Sequence, residues 1–344
     1  MKAIVIHRHG GLDQVGYEVV DRPVVRDHQV LVRTRAAALN HLDLFVLGGI
    51  PGVELEMPHV PGSDGAGVVE AVGGRGDRFD PGDRVMLNAC LWCGKCEFCI
   101  QGEQSLCTQL HLVGEHGPGT FAGYFLVPEA NLEKIPEGVT FEEAAAFSLV
   151  FQTAWRMLQT QARIRAGDDV FIHGIGGGVS TAALQITKLA GGRAFVSSSS
   201  DRKLEEARRL GADFCFNYSQ TDPVRSVLRL TEKRGVDIVV DNVGNATWKQ
   251  SLKMVRKGGR IVTCGATTGP SPRTEIRLIF WKQIQIFGST MSNCLEYRRL
   301  IKLLGLGKLK PVISHVLPLS EGKRALELLA DQQQFGKIVL KVED

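Results

Sequence analysis

Four cysteines constrain the fold of this chain more than any other feature of its sequence. Cys93, Cys96, Cys99 and Cys107 follow the spacing C-x2-C-x2-C-x7-C within CGKCEFCIQGEQSLC. This spacing brings four thiolates within reach of one Zn2+, with Zn–S distances of about 2.3 Å. Four thiolates fill the coordination shell, so the pattern predicts a structural zinc lobe over about residues 90–110. The alternatives are disulfides or scattered core cysteines, and Cys90 is a competing ligand.

The composition excludes several classes of function. The chain has 344 residues, 44% hydrophobic and 23% charged, which is typical of a globular protein with about two domains. Its net charge of +4 is spread along the chain, so we expect no nucleic-acid partner. No apolar run approaches the roughly 18 residues of a membrane span, and the N-terminus lacks a signal-peptide core, so we expect no membrane partner. Half of the cysteines belong to the lobe, which favours a reducing cytoplasm.

The first 150 residues are predicted to be rich in strands. Val30–Arg35, Gly67–Val72 and Phe121–Val127 alternate apolar and polar residues or are rich in β-formers, with Pro-Gly turns between them. The pattern changes near Phe141, where a helix is expected with Thr140 as its N-cap.

From Asp169 onward the sequence alternates between strand and helix patterns. The predicted helices include KLEEARRLGA and TWKQSLKMVRKGG, and the predicted strands are Val170–Ile172, Ala194–Ser197, Ile238–Val240 and Arg260–Cys264. This alternation predicts an α/β region with a doubly wound parallel sheet. A last strand, Phe335–Val342, is expected to return to the first domain.

A glycine cluster marks the expected dinucleotide site. Gly174, Gly176, Gly177 and Gly178, followed by Val179, come directly after the first strand of the α/β region and open a helix. A pyrophosphate binds the free backbone N–H groups in this setting, although a lone glycine cluster is also common in ordinary turns. The third glycine of the usual motif is replaced by Ser180.

The end of the second α/β strand favours NADPH, with NADH as the alternative. An NAD site usually has an acidic residue about 20 residues after the glycines, where it binds the ribose 2′-hydroxyl. Here that place holds FVSSSSDRK, so Ser198 leaves room and Arg202 and Lys203 can neutralise a 2′-phosphate. The alternative is that these two cations form a solvated first helical turn.

Together these features resemble the medium-chain dehydrogenase/reductase superfamily, which includes zinc alcohol dehydrogenases and zinc-free quinone oxidoreductases. The similar segments, found along nearly the whole chain, are AAALNHLDLFVLGG, PGSDGAGVVEAVG, FDPGDRV, the cysteine lobe, the glycine turn and FGKIVL. The resemblance implies a GroES-like, partly β-barrel catalytic domain over residues 1–150 and 288–344. It implies a Rossmann dinucleotide-binding domain over residues 151–287.

The same resemblance shows where this chain departs from the alcohol dehydrogenases. Their catalytic zinc is held by Cys, His and Cys, with a Glu beside the His; the matching positions here are Asn40, Ser63, Leu149 and Asp64. Asn and Ser are poor Zn2+ ligands and Leu is none, so a zinc-alcoholate mechanism is not expected. A rescued metal site using His41, His59 or Asp64 is the alternative.

The LNHLDL segment is more similar to that of zinc-independent quinone and enone reductases. In these enzymes a hydride attacks an electron-poor C=C bond, and hydrogen-bond donors stabilise the charge that develops on the carbonyl oxygen. Asn40 is the predicted donor and Asp43 is predicted to orient the loop or a water molecule. The alternatives are a loop asparagine bonded to its own backbone and a structural aspartate. Phe45 replaces a tyrosine found in many relatives.

Further cofactor contacts are implied by matching positions. They are His41 and Lys337 at the pyrophosphate, Thr153 at the nicotinamide carboxamide, Tyr218 beside the adenosine 2′-phosphate, and Asn242 and Gly265 at the carboxyl edge of the sheet. For Thr153, Tyr218 and Lys337 an ordinary surface or strand-end position is the alternative.

The segment 276–290, IRLIFWKQIQIFGST, is apolar and rich in β-branched and aromatic residues. In the relatives this region forms an edge strand that pairs across a two-fold axis, and an unpaired apolar edge is an aggregation hazard. We expect a homodimer or tetramer, with a core strand as the alternative.

The sequence therefore predicts an NADPH-dependent oxidoreductase with one structural zinc that transfers a hydride to activated C=C bonds of quinones or α,β-unsaturated carbonyls. One alternative is an alcohol dehydrogenase or aldehyde reductase of the same family with an atypical metal site. The other is a non-catalytic NADPH-binding sensor.

Overall fold

The computed structural model describes residues 1–343 and divides the chain into two compact units. The first unit contains Met1–Leu149 and the residues from Asn293 onward, and the second contains Val150–Ser292. The first predicted boundary, 150/151, lies one residue after the observed one, and the second, 287/288, lies five residues before it.

The strands and helices are numbered along the chain. The strands are β1 (Lys2–Ile6), β2 (Val15–Val19), β3 (Gln29–Ala38), β4 (Asp64–Val72), β5 (Arg84–Leu87), β6 (Cys90–Leu91), β7 (His111–Leu112), β8 (Tyr124–Pro128), β9 (Leu132–Lys134), β10 (Asp169–Ile172), β11 (Arg193–Ser198), β12 (Phe214–Asn217), β13 (Val236–Val240), β14 (Val255–Thr263), β15 (Gln285–Gly288), β16 (Ile313–Pro318) and β17 (Lys337–Lys341). The helices are α1 (His41–Gly48), α2 (Glu97–Ile100), α3 (Phe141–Trp155), α4 (Gly178–Leu189), α5 (Asp201–Arg209), α6 (Pro223–Leu230), α7 (Trp248–Met254), α8 (Ile276–Lys282), α9 (Cys294–Gly305) and α10 (Gly322–Ala330).

The main sheet of the first unit brings distant parts of the chain together. Its strand order is β16-β17-β3-β4-β5-β9, with β8 also paired to β3. Strand β17 pairs antiparallel with β3, which confirms that the C-terminal strand returns to the first domain. Ala38 at the end of β3 lies opposite both Val339 of β17 and Asp64 of β4. This register places the loop after β3, the start of β4 and the start of β17 side by side.

The second unit is built around the predicted parallel sheet. Its strand order is β12-β11-β10-β13-β14-β15, and every neighbouring pair is parallel. All five residues of β13 are buried, as expected for a strand covered on both faces. Phe171, Phe195, Val239 and Ile261 belong to the apolar core of this unit. The α/β fold with a Rossmann-type sheet is therefore confirmed.

Several local predictions are confirmed, and two predicted element bounds are wrong. Helix α3 starts after Thr140, whose side chain accepts from the Glu143 N–H at 3.1 Å while the Glu143 carboxylate accepts from the Thr140 N–H at 3.0 Å. Residues 255–259 extend strand β14 instead of a helix, and β8 begins at Tyr124 instead of Phe121. Within the apolar segment 276–290, α8 covers Ile276–Lys282 and is capped by Glu275, which accepts from a backbone N–H of its first turn, whereas β15 covers Gln285–Gly288 and is an edge strand, as predicted.

Within residues 1–343, no helix combines the length and apolar character needed to cross a bilayer.

Candidate active site and zinc lobe

The four cysteines of the zinc lobe converge in the first unit. Their Sγ atoms all lie within 4.8 Å of one another, and those of Cys93 and Cys99 are 4.0 Å apart. Tetrahedral coordination with Zn–S bonds of about 2.3 Å places sulfur atoms about 3.8 Å apart, so this donor set fits Zn2+. The thiols form no disulfides, and Cys90 is buried outside the group.

Backbone N–H groups stabilise thiolates within the lobe. The N–H of Cys93 lies 3.3 Å from the Sγ of Cys107. The backbone N–H groups of Cys99 and Thr108 lower the pKa of Cys96 to about 6. Desolvation raises the pKa of Cys99 to about 12, and a divalent cation beside this sulfur would displace its proton.

The glycine turn of the second unit has the geometry of an anion site. Gly174 and Gly176 have φ angles of 62° and 123°, which favour glycine, and Gly177 is the N-cap of α4. Gly178 and Val179 form the first turn of that helix. The Ser180 hydroxyl lies 2.9 Å from the carbonyl oxygens of both Gly174 and Gly177. Serine at the third glycine position thus closes the turn with hydrogen bonds.

The cations expected at a 2′-phosphate lie next to this turn. A Cβ added to Gly176 would lie 2.7 Å from Cδ and 3.3 Å from Nζ of Lys203, so the lysine side chain crosses the glycine turn. Burial and the neighbouring Arg202 lower the pKa of Lys203. Arg202 is exposed, Ser198 is buried at the end of β11, and Tyr218 is 51% exposed.

The remaining predicted cofactor residues of the second unit have different environments. The Oδ1 atom of Asn242 is shielded from solvent and has no hydrogen-bond partner, so it is available to a donor on a ligand. Gly265 is exposed, and a Cβ added there would approach the Asn242 carbonyl oxygen only to 3.8 Å. Thr153 is buried, with Oγ1 3.8 Å from the Met291 sulfur. These contacts to a cofactor stay predictions.

Three buried polar side chains of the first unit form what we call the Lys337 cluster: Asn40, Asp64 and Lys337. The Lys337 ammonium donates to the Asn40 Oδ1 at 2.6 Å and to the Asp64 Oδ2 at 2.9 Å. The Asn40 Nδ2 donates to the same Asp64 oxygen at 2.9 Å, and the Leu149 N–H donates to the Asp64 Oδ1 at 2.9 Å. Lys337 is 3% exposed and Asp64 is fully buried. The cluster is a charge-paired, hydrogen-bonded unit inside the first domain.

The cluster shows protein partners for two predicted site residues, whose contacts to substrate and cofactor stay predictions. Asn40 was expected to present a free amide donor, but its Nδ2 donates to Asp64 and lies 3.4 Å from the Ala38 carbonyl oxygen. Lys337 was expected at a pyrophosphate, but its ammonium is buried between Asn40 and Asp64. Both residues therefore hold other protein groups in place, as the register of β17, β3 and β4 dictates.

His41 and Asp43 lie in the first turn of α1. The Asp43 Oδ2 accepts from the Asn40 N–H at 2.7 Å, which caps the helix and matches the structural alternative for this aspartate. The His41 ring packs edge-on against Phe45 at 4.9 Å, and burial lowers its pKa. A role for His41 at the cofactor stays a prediction.

Asp43 is expected to make the protein less stable as the pH rises from about 4 to about 7. Burial raises its pKa from 3.8 to about 7, so the folded state binds more protons than the unfolded state in this range. Asp43→Asn keeps an acceptor for the Asn40 N–H and removes the titration. The difference in melting temperature between the wild type and this variant should decrease as the pH rises from about 4 to about 7. Above about pH 7 the difference should stay constant.

Glu143→Gln is the matched control, because Glu143 occupies the same N3 position in α3. Burial raises its pKa, but the Thr140 N–H and Lys310 outweigh that effect and lower it overall. Its pH dependence should therefore have the opposite sign, with stability lost as the pH falls. Parallel curves for the two variants would contradict the prediction.

Comparisons with known proteins agree with this architecture. Residues 26–137 match the alcohol dehydrogenase GroES-like domain and residues 178–305 match the zinc-binding dehydrogenase domain. A zinc-type alcohol dehydrogenase-like protein of Schizosaccharomyces pombe is 32% identical over 100% of this chain and 99% of its own. The chain belongs to the medium-chain dehydrogenase/reductase superfamily.

Members of this superfamily that resemble the chain differ in the reactions their names describe. The crystal structure of an NAD-dependent alcohol dehydrogenase is 42% identical, with a TM-score of 0.96 and 100% of both chains covered. The acryloyl-coenzyme A reductase of Metallosphaera sedula is 31% identical over 99% of both chains. Quinone oxidoreductases are also among the relatives. The chain is thus an NAD(P)-dependent oxidoreductase of this superfamily.

The catalytic zinc of the zinc-type members does not fit the residues found here. The matching positions carry the amide of Asn40, the hydroxyl of Ser63 and the alkyl group of Leu149, and Asn40 is already bonded to the Lys337 ammonium. His59 is held by a 3.0 Å contact with the Gly114 carbonyl oxygen. Within residues 1–343, the lobe cysteines form the only group of three or more Cys, His, Asp or Glu ligands close enough to share a metal.

Sequence reasoning missed the pairing of Asp64 with Lys337. The two residues are 273 positions apart, and only the sheet register brings them together. The signal was a lysine inside the apolar run FGKIVL, because a lysine in a buried strand needs an anionic partner.

Proposed function

We propose that this protein uses NADPH to reduce activated C=C bonds of quinones or α,β-unsaturated carbonyls without a catalytic zinc. The observation that carries the proposal is the Lys337 cluster. The Lys337 ammonium is bonded to Asn40 and Asp64, two positions that match the metal site of zinc-type relatives. The side chains at the matching ligand positions are poor donors for Zn2+. The relative named as an acryloyl-coenzyme A reductase supports this class of substrate.

The residues of the chain have separate tasks in this reaction. The N-terminus of α4 binds the pyrophosphate through its free N–H groups, and Lys203, beside the glycine turn, contributes positive charge for the 2′-phosphate. When bound, NADPH supplies the hydride for the β-carbon of the acceptor. Ser63 has a buried Oγ without a hydrogen-bond partner, and this hydroxyl is our candidate donor to the oxygen that gains charge. A proton from solvent completes the reduction at the α-carbon.

An alcohol dehydrogenase or aldehyde reductase is the second candidate. Its support is the 42% identity to a structure named as an NAD-dependent alcohol dehydrogenase, together with the cysteine lobe. A non-catalytic NADPH sensor is the third outcome of the test below.

The test is NADPH consumption with enones, quinones and aldehydes, measured with zinc content on the same purified protein. We expect one zinc per chain and reduction of the enone C=C bond that persists after a chelator has removed loosely held metal. Two zincs per chain, with alcohol oxidation lost on chelation, would support the second candidate. Tight NADPH binding without turnover of any acceptor would support the sensor.

Lys203→Ala is expected to raise the KM for NADPH about tenfold while changing the KM for NADH less than about twofold. The reason is that the lysine lies at the helix after β11, where the 2′-phosphate is expected. Steady-state kinetics with both cofactors provide the measurement. Lys188→Ala, which removes a lysine paired with Asp213 in the same unit, is the control. Equal losses with both cofactors would assign Lys203 to the pyrophosphate instead.

We propose that the chain self-associates through the face formed by α8 and β15. Strand β15 is the edge of its sheet, and Ile276, Phe280 and Trp281 of α8 are 60% to 75% exposed. Light scattering should show a dimer or tetramer that Trp281→Lys dissociates. Ile100→Lys, at an equally exposed residue of the first unit, should leave the mass unchanged. A wild-type monomer would overturn the proposal.

A further inference from the structure

Three buried polar side chains form a hydrogen-bonded series at the carboxyl edge of the parallel sheet. Strands β10 and β13 are neighbours, while β11 and β12 extend the sheet to one side and β14 and β15 to the other. Dinucleotides bind at such a switch point, beyond the carboxyl ends of the strands. His173 directly follows β10, and Asp241 directly follows β13. These two residues therefore flank the expected crevice.

Ser251 of α7 joins the two residues. Its hydroxyl donates to the Asp241 Oδ2 at 2.6 Å, a shorter contact than the 3.3 Å to the Thr247 carbonyl oxygen. The Nε2 atom of His173 lies 3.0 Å from the same hydroxyl. Because the hydroxyl has a single proton and gives it to the carboxylate, the His173 Nε2 is the donor to Ser251. His173, Ser251 and Asp241 are each at most 1% exposed.

The other oxygen of Asp241 organises the loop after β13. Its Oδ1 accepts from the N–H groups of Val243 and Gly244 at 3.1 and 3.0 Å and from the Thr247 hydroxyl at 2.8 Å. Gly244 has a φ of 86°, which the turn requires. The same loop carries Asn242, whose Oδ1 is shielded and unpartnered. Asp241 therefore fixes the backbone on both sides of a candidate cofactor ligand.

His173, at the other end of this series of hydrogen-bonded side chains, adjoins the glycine turn. It is the residue before Gly174, and its ring packs against Phe171 at 4.8 Å. Burial lowers its pKa to about 4, so the imidazole is neutral at neutral pH and serves as a directed donor. A donor at this point ties the end of β10 to α7.

We propose that His173, Ser251 and Asp241 form a positioning device that sets the distance between the glycine turn and the loop 241–247, and thereby the affinity for the dinucleotide. In this proposal the three residues act by positioning the backbone and do not themselves contact the cofactor or the substrate. The inference rests on the dinucleotide site of the proposed function and adds residues that the sequence did not single out for it. A buried polar chain with only a stabilising role would change the melting temperature and leave cofactor affinity unaffected.

Two substitutions test the device. Ser251→Ala removes the hydroxyl that contacts both His173 and Asp241, and His173→Phe keeps a ring but removes the donor. We expect each variant to raise the Kd and KM for NADPH at least about tenfold, with kcat at saturating NADPH and the KM for the acceptor within about twofold. His173→Gln retains an Nε2 donor and should recover most of the affinity. NADPH fluorescence titration and steady-state kinetics give these values.

Thr231→Val is the matched control for the loss of a buried hydroxyl. The Thr231 Oγ1 accepts from the Gly235 N–H at 2.9 Å and donates to the Val227 carbonyl oxygen at 2.8 Å, next to the amino end of β13. The Thr231→Val substitution should lower the melting temperature and leave the affinity for NADPH unchanged. Unchanged NADPH affinity in Ser251→Ala, or in His173→Phe if the first variant does not fold, would overturn the inference. A wild type that binds no dinucleotide would refute the proposed function itself.

Discussion

Cys99→Ser is expected to abolish zinc binding and to unfold the zinc lobe. The four sulfur atoms lie within 4.8 Å of one another, so a bound zinc links four points of the lobe and its loss removes those links. Structural zinc sites contribute about 10–16 kcal/mol of apparent binding free energy in small domains. Elemental analysis should show zinc falling from one atom per chain to none, and the melting temperature should fall by more than about 10 °C.

Cys215→Ser is the control for this prediction, because Cys215 is a partly buried free thiol outside the lobe. It should retain one zinc and lose little stability. The complementary experiment is zinc removal from the wild type with a strong chelator, which should reproduce the melting temperature of Cys99→Ser. Zinc retained at one atom per chain in Cys99→Ser would show that the metal lies elsewhere.

The parts of the fold with local signals were predictable from the sequence. Alternating residues placed strands within β3 and β4, and Thr140 as a predicted N-cap marked the start of α3. The segment 276–290 was predicted as an edge strand because its β-branched and aromatic residues favour strands in general, and its second half does contain the edge strand β15. The first half forms α8, which Glu275 caps and which strand propensity alone does not predict.

The candidate sites also differ in whether a local sequence pattern reveals them. The lobe cysteines lie within 15 residues of one another, so their spacing revealed the site. The Lys337 cluster joins residues 273 and 297 positions apart, and no local pattern predicts such a contact. Asn40 was assigned a free donor because residue type alone does not show which partners occupy an amide. The His173–Ser251–Asp241 chain was missed for the same reason.

Lys337→Met is expected to destabilise the first unit by about 3–5 kcal/mol, because it leaves a buried carboxylate without its cation. Asp64 is fully buried, and its remaining donors are the Asn40 amide and the Leu149 N–H. Methionine has nearly the length of lysine, so the loss of volume is small and the charge dominates. Urea denaturation of the purified protein, followed by fluorescence and circular dichroism, measures the change.

The double variant Asp64→Asn with Lys337→Met separates the charge effect from the packing effect. Removing both charges avoids an unpaired ion, and replacing buried ion pairs by uncharged residues is often neutral. The double variant should therefore be more stable than Lys337→Met alone. Lys341→Met, at an exposed lysine of the same strand paired with Glu343, should cost no more than about 1 kcal/mol. If Lys337→Met costs no more than Lys341→Met, or if the double variant is the least stable, the ammonium does not hold Asp64 as the structure indicates.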